Sequence, residues 1–303
     1  MALHVHLLGK FCITSEAGPI SGLESHKIRE LLSYLLLRLN RPQARALLAN
    51  ELWMDATSDK SLKYLRQALW QLQMALDPWL PSLFSVESDW VQLNSHPDLM
   101  LDVDVFEQAL KAVQGRSGVE LHQDQARALS EAVQLYRNDL LITWTEDWCL
   151  LERERLQNLY LNALDKLIDY SLVHLELEAG LAYGQLSLAC DEARECSHQR
   201  LMRLYAMSGN RTAALRQYQR CNAILGETFG VQPSKTTEAL LNAVREDQLE
   251  KLMPGLLPGA LIPDIGVDVL AELTRLQVML AEVQQSLGRN LLRAQDGNES
   301  LRA

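Results

Sequence analysis

The chain is short of the features on which an enzyme, a membrane protein or a secreted disulfide scaffold is built. Its 303 residues contain no apolar run of about 18, so no membrane-spanning helix and no membrane partner are expected. The N-terminus shows no basic-then-apolar leader, so the expectation is a soluble, cytoplasmic protein. The five cysteines (Cys12, Cys149, Cys190, Cys196, Cys221) are odd in number, scattered and without a CxxC, which argues against a disulfide framework or zinc ribbon and for reduced thiols. No phosphate-cradling glycine loop, GxSxG or HExxH occurs. Accordingly no catalytic residue, cofactor or metal is expected. His4 and His6 share a strand face with Cys12 close in sequence, but a metal needs a third ligand and residues to orient the set. Asp102/Asp104 and Glu152/Glu154 stand two apart, diverge on a helix, and read as solvated acids. Positive charge is scarce too: 29 Lys and Arg face 39 Asp and Glu, a net charge of −10. That excludes a nonspecific polybasic nucleic-acid coat but not a local basic patch. Residues 1–100 are nearly balanced, with 9 basic against 10 acidic side chains, whereas 101–250 carry 15 against 23 and 251–303 carry 5 against 6. The acidity is therefore a property of the middle of the chain.

What is present is helical periodicity. Residues 194–233, RECSHQRLMRLYAMSGNRTAALRQYQRCNAILGETFGVQP, read as two amphipathic helices around the turn Ser208-Gly209-Asn210, where glycine takes the left-handed conformation cheaply. Leu201, Leu204, Tyr205 and Ser208 share one face of the first helix. Ala214, Leu215, Tyr218, Ala223 and Leu225 supply the apolar side of the second. This is a tetratricopeptide-like pair, a scaffold for binding partners with no chemistry of its own. Upstream, helices are expected at 122–136 and 181–190, with a long helix after Trp148, and a capping helix at 236–250 closes the array. Trp144 and Trp148 read either as an aromatic recognition site or as braces of the joint between domains.

The N-terminal third has a different pattern. Residues 3–20 alternate as two or three short strands with a turn at 17–19. Helices follow at 25–39 (N-cap Ser25, core stripe Ile28, Leu31, Leu32, Leu35, Leu39), at 43–53 and at 60–76. In the third, Leu62, Leu65, Leu69, Leu72 and Leu76 step by 3, 4, 3, 4 and face the core, while Lys60, Lys63, Tyr64, Gln67 and Gln71 point away with Arg66 on a flank. LFSVE and WVQLN then form a hairpin. Strands, three helices and a terminal hairpin make a winged helix with an N-terminal sheet.

The order HxxLMxLYxxxGxxxxALxxYxxCxxxLxxxxGVxPS at 198–234, with LYRNDLL at 135–141 and the stretch 148–155, resembles the bacterial transcriptional activator domain. LLSYLLLRLNRP, ELW and LKYLRQALWQLQMALD resemble, in order and spacing, the winged helix that precedes that domain in antibiotic-regulatory (SARP-type) activators. The resemblance implies a mainly α chain: a winged helix-turn-helix of the response-regulator effector type at 1–100, then the helical activator domain at 101–250. It implies that the third helix lies in the major groove with the hairpin as wing, that promoter repeats in double-stranded DNA are bound, and that RNA polymerase is recruited through its sigma subunit.

Residue chemistry fits the DNA part of that expectation. Lys60 and Lys63 suit phosphates or guanine edges, Gln67 and Gln71 can read adenine, and Arg66 reaches backbone or guanine; Arg41 and Arg45 suit phosphate clamping, and Tyr64 lies on the same face. Two departures weaken a single site: the wing carries Glu87 and Asp89 with no Lys or Arg, and Gln73 stands where many relatives have arginine. The other reading is an adaptor that binds proteins rather than DNA, gated by a small ligand in the repeat groove.

Residues 251–263 hold prolines and glycines that forbid a helix and read as a linker. Beyond, within 264–303, Val269, Leu273, Leu276, Leu280, Val283 and Leu287 step by 4, 3, 4, 3, 4, a heptad seam for self-association as a homodimer or wider bundle. A dimer would join two recognition helices and offset a weak half-site.

Overall fold

Strand β1, Leu3–His6, sets the frame of the N-terminal half. It is the centre of a three-stranded sheet in a computed structural model that describes residues 2–15, 18 and 20–248. β2 (Cys12–Ser15) pairs with it antiparallel, and β6 (Leu99–Leu101) pairs parallel, with Leu3 opposite Leu99 and Val5 opposite Leu101. The period of two buries Leu3 and Val5 and leaves His4 exposed. β6 does not stand out in sequence, because it is three residues long and joins a partner almost a hundred residues away.

Three helices follow. α1 (His26–Leu36) buries Ile28, Leu31, Leu32, Leu35 and Leu36; Ser25 is its N-cap position but makes no side-chain capping bond. α2 (Arg45–Leu52) and α3 (Ser58–Leu76) are joined by a short turn. The helix expected at 43–53 begins two residues later, because Gln43–Ala44 is a short strand, β3, paired with β5. β4 (Phe84–Val86) and β5 (Trp90–Leu93) form the wing hairpin, so the second sheet has the order β3-β5-β4.

α4 (Asp102–Ala112) opens the second half, followed by α5 (Gln123–Leu135), α6 (Asp147–Val173), α7 (Leu177–Cys190), α8 (Glu195–Met207), α9 (Arg211–Phe229) and α10 (Lys235–Arg245). The α8–α9 turn has Gly209 at φ 74° and Asn210 capping α9 through a bond from the Ala213 N–H. Two faces of this hairpin differ from expectation. Ser208 and Ala223 are exposed, while Cys221, one turn before Leu225, takes the inward position on α9. The array closes tightly where glycines replace side chains: a Cβ at Gly184 would lie 2.5 Å from Leu201, and one at Gly180 would lie 2.8 Å from Leu204.

Residues Met1–Glu246 form one compact unit, and a single apolar core runs from Leu3 through the winged helix to Tyr170. The segment after His6 stitches the halves: the Leu141 N–H donates to the Leu7 carbonyl at 2.9 Å and the Ile142 N–H to the Gly9 carbonyl at 3.0 Å. Asp102, expected to be solvated, is 5% exposed and accepts the N–H groups of Leu7, Leu8 and Val103. It serves as the acceptor for a chain segment that leaves the sheet. The second acid pair is divided: Glu154 is exposed, whereas Glu152 is half-buried between Arg38 and Arg155. The heptad residues Val269 to Leu287 and the linker at 251–263 lie outside the described residues. No described helix is long and apolar enough to cross a membrane.

Candidate nucleic-acid interface

Helix α3 is amphipathic in a way that sorts its residues. Ser61, Leu65, Ala68, Leu69, Leu72 and Leu76 are buried. Lys60, Lys63, Tyr64, Arg66 and Gln67 are exposed, Gln71 is half-buried, and Leu62 lies at the edge of the core. Thus Lys63, Arg66 and Gln67 project from one side of the helix into solvent. Two further residues share that side: Trp70 is 61% exposed and Met74 62%. Both lie on the strip opposite the leucines, at positions seven residues on from Lys63 and Gln67, and that spacing is the signal by which the sequence marks them.

The two arginines upstream have different surroundings. Arg41 is exposed. Arg45 instead braces the wing: its guanidinium donates to the Glu87 carbonyl at 2.8 Å and its N–H to the Asp89 carbonyl at 2.9 Å. The carboxylates of Glu87 and Asp89 belong to exposed residues, so the wing tip is acidic.

The N-terminal end of α3 faces the second half of the molecule. Lys60 and Tyr64 line a cleft of about 500 Å³ together with Glu51, Glu146, Asp147 and Trp148. Behind it, Trp144 and Trp148 are 6% and 4% exposed and pack edge-on to each other. Trp148 meets Tyr34 of α1, and Trp144 meets His26 and Phe11. The tryptophans therefore brace the joint, and Trp148 also forms part of the cleft wall. Arg153 holds the loop that carries Trp144 by donating to the carbonyls of Leu140, Leu141 and Trp144, each at 2.9 Å.

Polar groups at the joint are paired across it. His26 Nε2 lies 2.7 Å from Glu146 Oε1. Burial works to raise the Glu146 carboxyl, but the hydrogen bond and charge of His26, together with the backbone N–H groups of Glu146 and Thr145, jointly outweigh that and hold it below the usual carboxylate range. Glu30, 1% exposed, pairs with Lys27 at 2.7 Å, and Trp148 Nε1 is 3.4 Å from its other oxygen. His26, Glu30 and Glu146 bring ligand-type atoms within 4.8 Å of one another, the one such group among the described residues. The Lys27 ammonium already supplies the positive charge there, and it also donates to the Leu52 carbonyl. His6 turns toward Asp102, at 3.8 Å.

Fold and surface together define a winged helix joined to a helical-repeat domain. Comparison with known proteins agrees. Residues 101–245 match the family model of the bacterial transcriptional activator domain. Among solved structures, the chain is similar to Mycobacterium tuberculosis EmbR in complex with a low-affinity phosphopeptide: 19% identity over 81% of this chain, with a TM-score of 0.70. The chain spans about 65% of the length of that EmbR chain, and the likeness is one of fold. No curated protein matches. Residues 101–245 of the chain are thus a bacterial transcriptional activator domain, carried behind a winged helix.

Proposed function

We propose that the chain is a DNA-binding transcriptional activator that inserts α3 into the major groove of promoter repeats and contacts RNA polymerase, through its sigma subunit, with the helical domain. The observation that carries this reading is the solvent side of α3: Lys63, Arg66 and Gln67 stand clear of the core, with Lys60 exposed at the edge of the cleft, on a helix with one acidic residue, Asp59, in its first turn. Arg41, exposed before α2, adds a phosphate contact. Arg45 and Gln71 support it less directly, as a brace of the wing and a half-buried flank. The domain limits in this reading are 1–100 for DNA and 101–250 for polymerase, with the heptad segment in 264–303 pairing two copies so that two weak half-sites act together.

The acidic wing supports a second reading. With Glu87 and Asp89 at its tip, the hairpin repels the backbone that a basic wing would grip, as expected of an adaptor that binds proteins. A salt titration separates the two. DNA binding through three or four cations per half-site gives a log–log salt slope of roughly −3 to −4 per protomer, shallower by about two in the Lys63→Glu/Arg66→Glu variant. An adaptor shows no duplex binding at low salt and is unchanged in fold and partner by the same substitutions.

A further inference from the structure

Lys63, Gln67, Trp70 and Met74 succeed one another at steps of four, three and four, so they form one line along the solvent side of α3. At about 1.5 Å per residue the line is roughly 16 Å long. Its first half is polar and its second half apolar. All six tryptophans lie among the described residues, and Trp70 is the one in the exposed class. A large ring standing in water at the centre of a helix face is surface kept for a partner. The rest of that face says which kind. Lys63 and Arg66 stand exposed beside the strip on a helix whose one acidic residue is Asp59, in a chain that is acidic overall, and this local charge favours a polyanionic partner.

We infer that Trp70 and Met74 are the apolar half of a base-reading strip and take the C5-methyl groups of thymines in the major groove. This rests on the DNA-binding reading above. The groove is about 12 Å wide and 8.5 Å deep, and the thymine methyl is the apolar group its floor presents. Lys63 and Gln67 read purine edges. Trp70 lies seven residues beyond Lys63, about 10 Å along the axis, or roughly three base pairs at ~3.4 Å each. The half-site therefore carries thymine about three pairs from the purine read by Lys63 and about one pair from that read by Gln67.

The test replaces thymine by deoxyuridine, which removes the methyl alone, one position at a time in a duplex selected by the full-length protein from a random pool. The wild type binds the uracil duplex about fourfold more weakly, the worth of one buried carbon group of ~0.8 kcal/mol. Trp70→Ala binds the thymine duplex more weakly than wild type and does not distinguish the two duplexes; Met74→Gln loses discrimination at a neighbouring position. Both side chains are exposed, so unchanged melting temperatures establish that the variants are folded. Selective binding by wild type with thymine and uracil treated alike overturns this inference, returns Trp70 to a protein contact, and leaves DNA binding in place. No selective binding by wild type overturns both.

Discussion

The ring of Trp148, on α6, meets the ring of Tyr34, on α1, edge-on with centroids 5.3 Å apart. These residues come from the two halves of the chain, and the core that surrounds them is continuous. The winged helix and the activator domain should therefore unfold together. Denaturation of the full chain followed by tryptophan fluorescence and by far-ultraviolet circular dichroism is expected to give coincident transitions over the helical signal of residues 1–246. Trp148→Ala, removing a 4% exposed ring, should cost about 3–5 kcal/mol. Separate transitions for the two halves would contradict the shared core.

Asp102 makes a second link of this kind. Its carboxylate accepts the Leu7 N–H at 2.9 and 3.0 Å and the Leu8 N–H at 2.9 Å. Asp102→Ala leaves these donors buried without partners, at an expected cost of about 2–4 kcal/mol. Asp102→Asn, which keeps one acceptor oxygen, should recover part of it. A neutral Asp102→Ala, measured by urea denaturation, would mean that water takes over the donors.

Close approach of backbones gives a graded prediction. A Cβ on Gly118 would lie 2.2 Å from the Lys166 carbonyl oxygen, which belongs to the α6 backbone, whereas one on Gly184 would meet the Leu201 side chain, which can turn. Gly118→Ala should destabilise by more than Gly184→Ala, with both within about 1–3 kcal/mol. The reverse order in thermal melts would show that α6 yields more readily than Leu201.

His198 supplies a pH dependence. It is fully buried; its Nε2 donates to the Glu192 carbonyl at 2.8 Å and its Nδ1 lies 2.6 Å from the Gln217 amide nitrogen. Burial lowers its pKa below the usual histidine value, with the nearby Arg220 charge acting the same way. The unfolded chain thus takes up the proton first as pH falls. Stability from this group is complete above about pH 6.5 and declines as pH drops below it toward the folded-state value. Melting temperature should fall between pH 7.5 and 5.5, less steeply in His198→Gln; equal slopes would assign the dependence elsewhere.

Much of this was legible in sequence, for physical reasons. The leucine stripe of α3 and the α8–α9 hairpin show because a 3.6-residue period is imposed by one-sided burial over many residues. The bracing role of Trp144 and Trp148 was one of two readings that composition left open, and the partners that decide it, Tyr34 and His26, lie more than a hundred residues away. Distance in sequence also hid β6 and the buried role of Asp102, since a single carboxylate serving a remote strand has no periodicity. Arg45 looked like a free cation because its partners are backbone carbonyls, which every residue possesses. Trp70 and Met74 were legible as positions opposite the leucines but not as function, because apolar residues on a charged face break the polarity rule by which such a face is recognised.

The most direct measurement is binding of the full-length protein to a pool of random duplexes at two salt concentrations, with mass determined by light scattering on the same sample. The account predicts enrichment of a direct or inverted repeat by a dimer, weakened at the higher salt and lost in Lys63→Glu/Arg66→Glu. A well-folded protein that enriches no sequence at low salt would contradict it.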